Sequence, residues 1–99
     1  MKAFNKIIVV TGGGSGVGRQ LVIELLSKGA TVIAVDKNQM ALIETVEVSG
    51  NNNRLYTHAV DISNIRDVIA FTAEAVSKYK NIDGLINCAG IIQPFLDLD

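Results

Sequence analysis

The sequence is poor in the residues that staple small proteins together. One cysteine, Cys88, and one histidine, His58, stand among 99 residues, so neither an internal disulfide nor a zinc site built from several such ligands can hold the fold. That usage suits a reducing compartment, and the chain reads as cytoplasmic. Charge of either sign is in no surplus: nine Lys and Arg face ten Asp and Glu, a net charge of -1. Without a basic excess there is no general pull toward phosphate backbones or anionic lipid, which argues against nucleic acid and membrane surfaces as partners. Long apolar runs are missing too. The run from Ile7 to Val10, behind Lys2 and Lys6, is too short for a signal-peptide core, and no stretch nears the ~20 residues of a membrane helix. Internal repeats and low-complexity segments are absent.

What is present is a chain that is 48% hydrophobic and 99 residues long, enough for one domain over residues 1–99. A domain of this size buries only ~60 to 65% of its unfolded surface, so an uncovered apolar face would be felt. Short apolar runs alternate with helix-like spacing. Ile7 to Val10 is a β-branched run suited to a strand buried on both faces, and Thr11 leads it into a glycine cluster. From Val17, apolar residues at 21, 22, 25 and 26 predict a helix, which Lys28 and Gly29 stop. Thr31 to Val35 predicts a second strand ending at Asp36, and Met40, Ile43, Leu42 and Val46 mark a shorter helix. After a polar turn at 50–53, Arg54 to Val60 predicts a third strand. Ile65, Val68, Ile69, Thr72, Val76 and Tyr79 predict the buried stripe of a long helix with Ser63 as its N-cap, and Gly84 to Asn87 a fourth strand. Strands joined by helices imply parallel pairing with right-handed crossovers. The expected fold is therefore α/β, a doubly wound parallel sheet in the order 3-2-1-4, truncated after strand four, with a ligand site at the switch point between strands one and four.

The segment Thr11-Gly12-Gly13-Gly14-Ser15-Gly16-Val17-Gly18 falls where a buried strand meets a helix, the place where unpaired helix N–H groups face an anion. Glycine permits positive φ and lets a pyrophosphate approach with no Cβ in the way. A Walker loop is excluded, because Arg19 and Gln20 follow Gly18 where Lys and Ser or Thr are required. The Gly-x-Gly-x-x-Gly spacing is not met either. What stands complete is Thr-Gly-x-x-x-Gly-x-Gly, and a turn without a ligand is the plainer alternative. Asp36 follows Gly18 by 18 residues, near the spacing at which an acid meets the adenosine ribose in a Rossmann-type site. Its charge would repel a 2′-phosphate, so NAD is expected over NADP, although Lys37 is adjacent and Arg19 lies close in sequence. A solvated strand-end carboxylate is the alternative for Asp36. His58 near a strand end reads as an accommodated histidine in preference to a catalytic base.

These residues resemble the short-chain dehydrogenase/reductase family. Its marks are the glycine motif at Thr11 to Gly18, an acid-apolar pair matched by Asp61-Ile62, and Asn-Asn-Ala-Gly matched by Asn87-Cys88-Ala89-Gly90, with cysteine in place of the second asparagine. The resemblance spans residues 5–92. It implies that Gly12, Ser15, Gly16, Val17 and Gly18 lie against the pyrophosphate and that Asp36, with Lys37 beside it, takes the ribose. It further implies that Asp61 and Ile62 meet the adenine, that Asn87 ties strand four to its neighbours, and that Ala89 and Gly90 approach the nicotinamide-side ribose. Asp61 has a second role open to it, as a charge favouring the N-terminus of the next helix. The implied activity is hydride transfer between NAD and a small carbonyl or secondary alcohol.

The family's chemistry uses Tyr-x-x-x-Lys, and neither tyrosine here meets it: Val60 follows Tyr56 at that step and Asp83 follows Tyr79. No catalytic residue is assigned, and the 99 residues alone are expected to be inactive. Strand four would form an edge and the long helix would lack neighbours on one side, so the expectation is a part of a longer polypeptide or a homo-oligomer. A non-catalytic NAD-binding module and a structural subunit that only borrows the fold are the rival readings.

Overall fold

Two runs of β-branched residues make the centre of the molecule. In the computed structural model, which describes residues 2–88, they form β1 (Ile7–Thr11) and β2 (Thr31–Asp36), paired in parallel with Val9 beside Ile33. Neither strand can show a face to water without exposing valine or isoleucine, so both are covered on both sides. Helix α1 (Gly16–Ser27) joins them, helix α2 (Gln39–Val48) leads to β3 (Leu55–Ala59), and helix α3 (Ile65–Tyr79) leads to β4 (Gly84–Asn87). All pairs are parallel and the order is β3-β2-β1-β4, the topology the alternation predicts.

Alternate side chains of the strands feed two cores. Ile8, Val10, Val32, Ala34 and Leu55 pack on Val22, Leu25 and Leu26 of α1 and Leu42 of α2. Val9, Ile33, Val35 and Val60 pack on Ala75 and Tyr79 of α3. Ile8, Ile33 and Leu42 are fully buried, each contributing about 1.5–3 kcal/mol over exposure. Arg54 closes the far end, donating from its guanidinium to the carbonyls of Ala30 and Leu26 and satisfying a carbonyl at the end of α1. Gly29, at φ +91°, makes the left-handed stop after α1.

Three local expectations are corrected. Of the apolar residues that mark α2, Leu42 is buried and Val46 packs against the core as expected, whereas Met40 and Ile43 are exposed. Thr45 is the further inward residue, because the glycine segment lies against that face and its hydroxyl meets the Gly13 and Gly14 carbonyls. On α3, Ile65, Ile69 and Val76 are exposed. The inward row holds Phe71, Ala75 and Tyr79, drawn there by aromatic packing of Phe71 on His58 and of Tyr79 on Tyr56 and His58. The N-cap of α3 is Asn64, whose side chain accepts from the Arg66 and Asp67 amides. Ser63 turns away to donate to Asp61. Leu85 on β4 is exposed, and β4 is an edge of the sheet among the described residues.

Candidate functional site

The site begins where β1 runs out of side chains. Gly12 takes φ +73°, and it and Gly13 both donate to the Val35 carbonyl, at 2.7 and 3.1 Å. This sharp turn carries the chain off β1 and into α1. Gly18, in the first turn of α1, comes so close to the loop that a Cβ there would lie 1.9 Å from the Gly12 carbonyl oxygen. Glycine at 12 and 18 is therefore required by conformation and by contact respectively. Ser15 is the N-cap of α1, in extended backbone and with no capping bond from its side chain, and the first turn holds no acidic residue. Gly16 follows at φ +58°. A helix start of this kind presents unpaired N–H groups and the positive end of its dipole to an anion.

Beside this turn lies an open cavity of about 650 Å³, within the size range of cofactor sites. It sits at the ends of β1, β2 and β4, where the strand order reverses. Gly12, Ser15, Val17 and Gly18 line one wall. Asp36 and Lys37, at the end of β2, line the next, and Asp61, Ile62 and Ser63 follow β3 on a third. Asn87 and Cys88 close the β4 side, and Val35 and Val60 make an apolar floor. The cavity thus gathers residues far apart in sequence. Of the residues expected to bind a cofactor, Gly16 heads α1 without lining the cavity, and Ala89 and Gly90 lie outside the described residues.

Three polar side chains at the rim, those of Asp36, Asp61 and Asn87, are held by further contacts. Asp36 accepts from the Gly14 amide through Oδ2 and from the Asn38 amide through Oδ1, both at 3.0 Å. The Ser63 hydroxyl and amide donate to Asp61 Oδ1 at 2.6 and 3.0 Å, and these bonds, with Lys37 nearby, hold the Asp61 carboxyl below the usual carboxylate range. Thr11 Oγ1 and Asn87 Oδ1 are 2.6 Å apart, which ties β1 to β4 side chain to side chain. The Cys88 amide donates to Thr11 as well, while burial pushes the Cys88 thiol up.

Two residues near these motifs do not line the cavity. Arg19, close in sequence to the glycine loop, is turned away onto α2, where it bonds Thr45 Oγ1 and Glu44. His58 is outside the cavity. Its Nε2 is 2.8 Å from Tyr79 Oη, linking β3 to α3, and burial lowers its pKa. Sequence reasoning passed over Thr45 altogether; its one signal is a polar residue four positions from Ala41 and three from Leu42 on the inward face of α2.

The comparisons agree with this architecture. A family profile described as short chain dehydrogenase matches residues 6–99, and the chain belongs to that family of oxidoreductases. It is 38% identical over 90 residues to a 3beta-hydroxysteroid dehydrogenase of Mediterraneibacter gnavus, covering 88% of this chain and 32% of the relative. It is 39% identical over 93 residues to a 2,5-dichloro-2,5-cyclohexadiene-1,4-diol dehydrogenase of Sphingobium indicum, covering 94% and 36%. Among solved structures, the 3-ketoacyl-(acyl-carrier-protein) reductase of Brucella melitensis complexed with NADH superposes with a TM-score of 0.75 at 29% identity, over 84% of this chain and 34% of that one. The chain thus spans about a third of the length of the curated relatives it matches. No helix among the described residues is long and apolar enough to cross a membrane.

Proposed function

We propose that the cavity binds NAD(H) and that the chain is the cofactor-binding part of a short-chain oxidoreductase that moves a hydride between the nicotinamide and a carbonyl or secondary alcohol. The observation that carries this reading is the Asp36 carboxylate, held at the cavity rim by the Gly14 and Asn38 amides. Each oxygen keeps a lone pair for a ribose hydroxyl, and the negative charge disfavours a 2′-phosphate. The rest of the donor set fits a dinucleotide. The open N-terminus of α1 suits a pyrophosphate, Val35 and Val60 offer an apolar floor for adenine, and Asp61 and Ile62 on the cavity wall are assigned to its exocyclic amine and a ring nitrogen by the family resemblance. When bound, the dinucleotide supplies the hydride. The residues of this chain hold and orient it, with Asn87 keeping β4 in register beneath the nicotinamide half. The solved relative with NADH supports the choice of cofactor.

A second reading is an NAD-binding module that performs no turnover. Both readings require binding, and only the first requires carbonyl reduction by the polypeptide that carries these residues.

Fluorescence titration of the purified full chain with NADH and with NADPH tests the cofactor assignment. NADH is expected to bind at least about tenfold more tightly, and an Asp36→Ser variant to lose that preference. Equal affinities in the unaltered protein, or no gain in relative NADPH affinity in the variant, would remove Asp36 from the role given to it.

A further inference from the structure

Asp36 is held by two amides, that of Gly14 on Oδ2 and that of Asn38 on Oδ1, and what aims the first of them lies on the far side of the glycine loop. Thr45 of α2 is fully buried. Its Oγ1 lies 2.9 Å from the Gly13 carbonyl oxygen and 3.2 Å from that of Gly14, and it accepts from Arg19 Nε at 2.9 Å. Arg19 Nη2 in turn donates to the Gly14 and Ala41 carbonyls and to Glu44 Oε1. Both loop carbonyls are therefore drawn toward α2. The peptide bonds are trans, and in a trans peptide the N–H points opposite to the C=O that precedes it. Pulling the Gly13 carbonyl onto Thr45 consequently aims the Gly14 N–H the other way, and it meets Asp36 Oδ2 at 3.0 Å. By the same geometry, the Gly14 carbonyl on Arg19 turns the Ser15 N–H away from α2. The fit is close: a Cβ on Gly14 would stand 2.7 Å from Asp36 Oδ2.

We propose that Thr45 and Arg19 are positioning residues for cofactor choice: they hold the Gly13–Gly14 peptide so that its N–H locks the Asp36 carboxylate in one orientation. This deepens the NAD reading above and rests on it. Discrimination against a 2′-phosphate then depends on a hydroxyl and a guanidinium that need not touch the cofactor. The same bonds hold the Arg19 guanidinium against α2 through Nε and Nη2, drawing back a cation near the loop that a 2′-phosphate would otherwise attract. Releasing the peptide leaves Asp36 held by the Asn38 amide alone, so its Oδ2 is no longer fixed, and with Arg19 untied the site loses selectivity from both sides.

The test compares the unaltered full chain with Thr45→Val, which keeps shape and removes the hydroxyl, Thr45→Ser, which restores it, and Arg19→Met. Thr45→Val is expected to weaken NADH binding about fivefold and to shrink the ratio of NADPH to NADH dissociation constants by at least that factor, with Thr45→Ser returning the ratio. A role in packing alone would weaken both cofactors together and leave the ratio unmoved, and that result overturns the proposal. Amide hydrogen exchange at Gly14 without any cofactor gives a second readout: about tenfold faster exchange is expected in Thr45→Val and Arg19→Met, and unchanged exchange overturns the proposal. Should Thr45→Val fail to fold, Arg19→Met carries both measurements. If the unaltered chain binds neither dinucleotide, the NAD reading falls and the claim on cofactor choice falls with it, while Gly14 exchange separately decides whether these residues hold the peptide.

Discussion

Gly18 is the tightest point of the site, and its tolerance is the first thing to measure. A methyl group there meets a backbone carbonyl oxygen at 1.9 Å, and neither α1 nor the Gly12 turn can yield without parting. Gly18→Ala is expected to destabilise the fold by about 3 kcal/mol in urea unfolding, at the upper end of overpacking costs, and to abolish dinucleotide binding. Gly18 and Asp36 were legible from the sequence because their roles depend on spacing along the chain: a glycine in the first helical turn, and an acid at the end of the next strand. Thr45 was not. A threonine inside a helix reads as a surface residue or a small apolar one, and only the neighbouring loop, 31 and 32 residues away in sequence, makes its hydroxyl indispensable to that geometry.

Among the elements, α3 separates what periodicity can say from what it cannot. Its sequence offers two apolar rows at helical spacing that meet at Tyr79, the expected one through Ile65, Ile69 and Val76, of which only Tyr79 is buried, and the observed one through Phe71 and Ala75. Both satisfy a 3.6-residue period, so the existence and extent of the helix were legible and its rotation was not. Rotation is decided across the gap to β3, where Phe71 and Tyr79 find His58 and Tyr56. The start of the helix was placed one residue early for a similar reason, since Ser63 and Asn64 are both good caps and the choice falls to whichever is not engaged elsewhere. Asn64→Ala is expected to cost about 1 kcal/mol of stability by removing two bonds to helix amides. Ser63→Ala is expected to cost less and instead to let the Asp61 carboxyl titrate closer to its usual range. Urea unfolding and carboxyl-resolved NMR titration separate the two.

At the scale of the whole molecule, strand order and the position of the cavity were legible in full, because the alternation of strands and helices with right-handed crossovers leaves few topologies. The pH response of stability was not legible, since it depends on which group the packing strips of water. Burial, aided by Lys78 and opposed by Glu74, lowers the pKa of His58 in the folded state. The folded protein therefore holds fewer protons than the unfolded chain below about pH 6.5. Stability from this group is present above that value and declines as pH falls through the lowered pKa. Thermal unfolding between pH 7.5 and 5.5 is expected to show a fall in Tm that a His58→Gln variant largely lacks. A fall of equal size in that variant would assign the effect to other groups.

The bonds from Thr11 to Asn87 and Cys88 reach across 76 and 77 residues, and this has a consequence for synthesis on the ribosome. The central strand emerges early and finds β2 soon afterwards, but its other neighbour is made some fifty residues later than β2, several seconds at ordinary elongation rates. Through that interval the newborn chain has at most three strands of the sheet, with the edge of β1 bare and the cavity lacking its β4 wall. The cavity of this topology is incomplete until residues 84–88 arrive, so it is the last part of the described fold to close, and the edge of β1 is the sheet surface left open longest.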